Sequence, residues 1–388
     1  MDSVVVVSAA RTPLGAFNGK LKFASAVELG KTVVKKVVEN CDVKIDGVYM
    51  GCVMSAGLGQ SAARQAALGA GLSESTNCAN VNKICGSGMA AAMLARNAIL
   101  AGECDAVVAG GMESMTNAPY LLEKARSGYR FGDGKIVDHI VKDGLTDAYE
   151  KRVMGAFAEE TAAAYGFSRE EQDEYAAKSF AKARAAVEIG AFKNEIAPVT
   201  VKERKGEAIV DADEIPFSVD LSRLPSLKPA FKEDGTITAA SASSLSDGAA
   251  ALLIMRESTA EKAGLTPFAR IVAQSDFSQA PKLFATAPIG AIKRVLEKSN
   301  WSIGDVDLFE INEAFAVVAM AAIKEFSLDP EKVNVNGGAC ALGHPLGASG
   351  ARIIATLLNA MATKNAKKGL ATLCVGGGEG VAMTFERM

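Results

Sequence analysis

Two distant stretches of this chain repeat one another. NVNKICGSGMAAAMLARNAIL (80–100) is matched by NVNGG (334–338) and GASGARIIATLLNAM (347–361) in its Val-Asn pair, its small-residue turn and the helix that follows. VVAGGMES (107–114) is answered by LCVGGGEG (373–380). A chain that repeats such a unit must build two similar halves, and this constrains the fold more than any composition does. The partner strand GVAMTFER (380–387) has its analogue in DGAAALLIMRE (247–257), so the first half carries a large insertion, 118–244. The boundaries read as 1–117 plus 245–268 for the first half and 269–388 for the second. The insertion differs in composition, with the charge-rich SREEQDEYAAKSFAKARAA and VKERKGE. A segment this long inside a compact domain reads as a functional lid.

Within each half, short β-branched runs alternate with helical patterns. VVVVSA (4–9), DGVYMGCV (46–53) and DAVVAGGMES (105–114) read as strands. Residues 26–41, 61–72 and 89–102 read as helices, with Gly102 ending the last. In the second half 287–299, 313–326 and 349–362 read as helices, with strands at 306–311 and 369–376. The 380–387 segment reads as a hairpin partner. Hydrophobic residues make up 49% of the 388, rich in Ala, Val and Gly, which suits α/β layers covered on both faces.

A net charge of −3 leaves no nucleic-acid footprint. None of the seven cysteines forms a CxxC pair, and two histidines without clustered Cys/His ligands argue against a metal site. No stretch is expected to reach the ~18 apolar residues of a membrane span. Asp2 stands where a secretory signal needs positive charge, and FERM is no peroxisomal address. The expectation is a soluble, cytoplasmic protein with mostly buried thiols.

Four motifs carry chemistry. Cys85 opens CGSGM at a helix start, where unpaired N–H groups favour a thiolate. His344, between Gly343 and Pro345 in GHPLGASGA, is held so that one ring nitrogen points in a fixed direction. Cys374 ends a strand before Val375 and a glycine run; the carboxyl ends of strands are where α/β sheets place active sites. Asn312-Glu313 follows a strand end and is expected to begin a helix, so Asn312 also reads as an N-cap.

Together CGSG, NEAF, GHPLGASGAR and LCVGGGEG, with VVSAARTPLGAF, GLGQSAARQAA, VVAGGMESM and KKGLATLC, resemble the thiolases over essentially the whole chain, and among them the acetyl-CoA acetyltransferases. The resemblance implies a thiolase-like α/β fold of two βαβαβαββ halves packed face to face, with an inserted loop domain covering coenzyme A. It implies that Cys85 carries an acetyl group with His344 as its base, and that Cys374 removes a proton from C2 of a second acetyl-CoA. His344 and a water held by Asn312 would face the enolate, and the N–H groups of Cys85 and Gly376 would receive the tetrahedral oxyanion. Condensation gives acetoacetyl-CoA plus CoA; thiolysis is the reverse. Leu145, Met154, Phe231, Ser243, Phe284 and Phe315 fall at substrate positions, with Phe284 opposite Met154 expected to shorten the acyl pocket. No cofactor or metal is implied beyond the CoA thioesters, and a homo-oligomer, dimer or tetramer, is.

The coenzyme contacts depart from the family pattern. Val153 stands where His-Met-Gly is common, and the arginine expected after Asp213-Glu214 is missing; Arg223 or Lys228 would substitute. Three other readings compete. One is a degradative 3-ketoacyl-CoA thiolase with a longer acyl pocket. A second is a ketoacyl-synthase-type enzyme, which uses Cys and two histidines, whereas the other histidine here, His139, lies in the insertion. The third is a non-catalytic acyl-CoA-binding protein, against which intact Cys85, His344 and Cys374 argue.

Overall fold

The computed structural model describes residues 2–204 and 206–388. The first half runs β1 (Val4–Arg11), β2 (Gly15–Ala16), α1 (Ala26–Val38), β3 (Gly47–Gly51), α2 (Ala62–Gly69), β4 (Asn77–Val81), α3 (Ser87–Ala101) and β5 (Ala106–Ser114). The chain then leaves the sheet. It forms the hairpin of β6 (Tyr120–Leu122) and β7 (Ile136–Asp138), a π-helical turn (Ile140–Leu145), α4 (Met154–Tyr165), α5 (Arg169–Glu188) and the hairpin of β8 (Val199–Glu203) and β9 (Gly206–Val210). It returns as β10 (Ser246–Arg256) and α6 (Glu257–Lys262). The second half is β11 (Ala269–Ser278), α7 (Ala287–Ser299), β12 (Leu308–Ile311), α8 (Ala316–Phe326), α9 (Ala339–Leu342), α10 (Leu346–Thr363), β13 (Lys368–Val375) and β14 (Glu379–Arg387).

The sheet order β4-β3-β5-β10-β1-β11-β14-β13-β12 reads outward from β1 and β11 as two copies of one pattern. In each, the hairpin-like antiparallel pair (β5 with β10, β13 with β14) is flanked by a parallel strand (β3, β12). Where the first half has β4, the second has one parallel bridge, Phe309 with Val333. The halves are not only stacked: β1 pairs with β11 antiparallel at Val5–Arg270 and Val6–Ala269.

Helices α3 and α10 form the middle layer, packed in one core with side chains from both halves, among them Val107, Leu252, Leu373 and Val381. Helices α1 and α2 cover the outer face of the first half, α7 and α8 that of the second. The stretch Ile84–Ala101 is in fact long and apolar enough to cross a membrane, contrary to the expectation from the sequence. It belongs to this middle layer, where a helix meets protein on most sides and needs little polar surface. α3 and α10 touch backbone to backbone. A Cβ on Gly350 would lie 2.3 Å from the Met89 nitrogen, and one on Gly88 2.8 Å from the Ala351 nitrogen.

Several elements differ from the sequence reading. β4, α9 and β11 are not among its strands and helices, and α8 begins at Ala316 rather than at Asn312-Glu313. The chain through NEAF is captured instead by the end of the insertion: Ser243 N–H donates to the Ala314 carbonyl (3.0 Å) and Ala316 N–H to the Ser241 carbonyl (2.8 Å). This pairing holds Phe315 extended, so Asn312 caps no helix. The insertion is tied to β1 by a buried arginine. Arg11 donates to Glu195 at 2.5 Å and doubly to Asp213 at 2.7 and 2.8 Å. Removing one partner of such a cluster typically costs about 3–5 kcal/mol.

Candidate active site

Cys85 lies two residues before α3, and His344 two residues before α10, so the repeat places both at matching helix starts. The Cys85 turn is strained. Ile84 is β-branched yet has φ +46°, a conformation worth roughly 1–3 kcal/mol of strain. Local bonds hold it: Ile84 N–H to Asn82 Oδ1 (3.0 Å), Lys83 N–H to Ser87 Oγ (2.8 Å), and Ser87 Oγ to the Ile84 carbonyl (2.6 Å). The backbone N–H groups of Gly376 and of Cys85 itself favour a thiolate on Cys85. Burial nevertheless pushes the thiol up to about 11, those two donors pull it back in part, and Glu113 pushes it further up. The expected thiolate at a helix start is thus outweighed by desolvation.

His344 is buried, and burial, with Arg352 adding to it, pushes its imidazole down to about 3. Its Nδ1 lies 2.6 Å from Ser349 Oγ, which donates its own proton to the Pro345 carbonyl (2.9 Å). Ser349 therefore accepts from Nδ1–H, and Nε2, with no protein partner, is left as a bare lone pair. The Asn312 amide sits 3.5 Å from the same Nδ1, with its Oδ1 unpartnered. The orientation that satisfies both groups turns Oδ1 to the ring N–H and the NH₂ away from it.

Glu113, at the end of β5, accepts from the N–H groups of Val53 (3.0 Å), Met54 (3.0 Å) and Gly347 (2.8 Å). It thereby ties the start of α10, and with it the His344 turn, to the loop after β3. Burial raises its carboxyl to about 6 despite these donors.

Cys374 stands on β13 opposite Gly380 and is fully buried among Phe157, Phe284, Ala314 and Phe315. Burial raises its thiol well above the ordinary range, and the neighbouring Cys85 raises it further.

These groups meet at a cavity of about 500 Å³. Cys85, His344 and Gly376 line it, as do Leu145, Met154, Phe231, Ser243, Phe284 and Phe315. Cys374 and Asn312 do not; they stand behind the wall, against Cys85 and His344 respectively. Arg223 lies outside as well: its turn is pinned by buried Leu224, and Arg223 itself is exposed. His139 is buried beside Asp143 (3.1 Å) and also lies outside the wall. Sequence reasoning did not select Met115, Val141, Gly144, Ala242, Leu245 or Leu346 for the wall. Leu346 was within reach of the GHPLG motif, and Met115 immediately follows VVAGGMES. Glu113 and Ser349 were also missed; Glu113 acts through long-range partners, whereas Ser349, in the same motif as His344, was within reach. Val153, at the position of the missing family histidine, is 41% exposed and lines the cavity.

Phe315 meets Phe231 and Phe284 edge to face, at 5.6 and 6.1 Å between ring centres. The arrangement can carry out acyl transfer at a thiol: a nucleophile, a neutral imidazole lone pair and two convergent N–H donors share one apolar cavity.

Residues 4–258 match the family described as Thiolase, N-terminal domain, and residues 265–387 match Thiolase, C-terminal domain. The acetyl-CoA acetyltransferase of Escherichia coli (strain K12) is 50% identical over 100% of both chains, and that of Cupriavidus necator 49% over 100% of both. The solved Bacillus anthracis acetyl-CoA acetyltransferase superposes with a TM-score of 0.98 at 42% identity, covering 100% of this chain and 99% of that one. The Acat5 thiolase of Ascaris suum, solved in complex with coenzyme A, gives 0.94 at 40% identity over 100% of both.

Proposed function

This chain belongs to the thiolase family, and from that premise we infer that it is an acetyl-CoA C-acetyltransferase, joining two acetyl-CoA into acetoacetyl-CoA and CoA and running the reverse thiolysis. The observation that carries this reading is the convergence of Cys85, bare His344 Nε2 and the Gly376 N–H on one apolar cavity.

His344 Nε2 takes the Cys85 proton as the sulfur attacks the thioester carbonyl of the first acetyl-CoA. The N–H groups of Cys85 and Gly376 receive the tetrahedral oxyanion; one such donor is typically worth about 2.7–4 kcal/mol. The C–S bond to CoA breaks, and the leaving sulfur takes its proton from Cys374. A thiol raised by burial holds its proton at rest, and once stripped of it the unsolvated thiolate is a strong base. That thiolate removes a C2 proton from the second acetyl-CoA. The enolate oxygen faces His344 and the Asn312 side, and the carbanion attacks acetyl-Cys85. Collapse expels the Cys85 thiolate, which recovers its proton from His344.

Among the described residues the cavity wall holds no lysine or arginine. The CoA phosphates then belong beyond the cavity wall; Arg223 and Lys228, both exposed, are the cations proposed to meet them. The Ascaris relative solved with coenzyme A supports a CoA-thioester substrate. A homo-oligomer, dimer or tetramer, and cytoplasmic residence complete the proposal; light scattering tests the former.

Brief incubation with labelled acetyl-CoA and peptide mapping should place the acetyl group on Cys85. Label elsewhere, or full thiolysis by Cys85→Ala, would overturn the assignment.

A further inference from the structure

Cys85 and Gly376, whose N–H groups are the proposed donors, come from different halves of the chain and line one cavity. Neither sits in regular secondary structure. Cys85 follows Ile84 at φ +46°, and Gly376 precedes Gly377 and Gly378 at φ +93° and +84°. Each turn is well held within its own half. Ser87 and Asn82 brace the first, and the second is braced by Gln279 N–H donating to the Gly378 carbonyl (2.9 Å). The two turns also pack on one another, Val375 against Gly86 and Ile84 against Gly376, and an ion pair joins them at the side. Lys83, two residues before Cys85, bonds through Nζ to the carboxylate of Glu379, three residues after Gly376, with Asp276 3.6 Å from the same Nζ. The Lys83 and Glu379 side chains are only 27% and 35% exposed, so solvent screens the pair less than an open surface pair. Glu379 also opens β14 opposite Val375, at the mouth of the strand pair that carries Cys374.

We infer that Lys83 and Glu379 form a positioning clamp that fixes the separation of the Cys85 and Gly376 N–H groups. The pair touches no reacting atom and acts through the two turns. What the donors stabilise rests on the acetyltransferase reading; their geometry does not.

Glu379→Gln separates position from charge, because the two effects have opposite signs. Removing a negative charge acting through space would make Cys85 easier to ionise. Letting the Gly376 turn drift removes a donor from the sulfur and makes ionisation harder. Glu113 and Cys374, which also face Cys85, are left in place. The rate of Cys85 alkylation by iodoacetamide, followed by peptide mass mapping across a pH series, should fall at least about threefold in Glu379→Gln at each pH below the midpoint. The kcat for acetoacetyl-CoA thiolysis should fall about ten- to a hundredfold with KM within about twofold, the pattern of a misplaced catalytic group. The reversed pair K83E/E379K should return both to within about threefold of wild type. Alkylation of Glu379→Gln at the wild-type rate or faster, or no recovery in a folded K83E/E379K, overturns the clamp. A wild-type protein that does not thiolyse acetoacetyl-CoA removes the acetyltransferase reading instead, and the alkylation result still decides the clamp.

Discussion

Ser349 fixes the tautomer of His344: its hydroxyl is committed to the Pro345 carbonyl, so it takes the Nδ1 proton and leaves Nε2 without a protein partner. Ser349→Ala should release that choice and leave a buried Nδ1–H unpaired. Such a group costs about 1–3 kcal/mol of stability. We expect kcat to fall about tenfold or more with little change in KM, read by steady-state thiolysis and urea unfolding. Unchanged kcat would show that Asn312 alone orients the ring.

Burial holds His344 down at about 3, against an ordinary imidazole near 6.5. Between those values the unfolded chain carries a proton there that the folded chain does not. Stability should therefore fall as pH drops through this window, by up to about 1.4 kcal/mol per unit from this residue. Urea unfolding at pH 7, 6 and 5 should show a steeper loss in wild type than in His344→Asn; parallel curves would count against a neutral buried imidazole. Thiolysis should likewise show no acid limb near 6.5.

Cys374 is buried behind the cavity wall yet within electrostatic reach of Cys85. In Cys374→Ser, acetyl-Cys85 should still form from acetyl-CoA, although more slowly. Condensation and deuterium exchange at C2 should drop about 10²–10⁴-fold. Exchange at the wild-type rate would move the base elsewhere.

Phe284 is 2% exposed and lines the cavity against Phe315. A rigid ring in a packed wall should exclude long acyl chains, each methylene otherwise being worth about 1–3 kcal/mol. Wild type should thiolyse acetoacetyl-CoA efficiently and fall steeply at six carbons; Phe284→Ala should admit them. Comparable kcat/KM for short and long substrates in wild type would favour the degradative thiolase reading. The truncation itself should cost about 3–5 kcal/mol, so thermal unfolding must accompany it.

The groups proposed to react stand out in the sequence because their settings are local: a scarce histidine between Gly343 and Pro345, a cysteine before a helix, a cysteine ending a strand. The repeat exposed the sheet plan for the same reason. What escaped depends on distant partners. β11 alternates buried Ala269, Ile271, Ala273 and Ser275 with more exposed Arg270, Val272 and Gln274, so its inward face is too small to signal a strand. The start of α8 was misplaced because the insertion's backbone captures Phe315, a tertiary contact that no helical period records. Glu113 gains its role only once α10 meets β5 and the β3 loop, whereas Ser349 bonds within its own motif. Arg223 was chosen for its charge, and charge alone does not place a side chain in a wall.

The glycine contacts between α3 and α10 have a consequence for how such a protein can change. Cys85 and His344 ride on two helices that meet backbone to backbone at Gly88 and Gly350, where even one added carbon has no room. More than half of the cavity wall, from Val141 through Ser244, comes instead from the insertion. Reactivity and much of the fit are thus inherited on separate pieces of chain, although Phe284 and Phe315 of the second half also line the wall. A graft of a foreign insertion onto this duplicated frame would reshape much of the cavity wall around unaltered helix starts, whereas the contact between α3 and α10 leaves evolution almost nothing to vary.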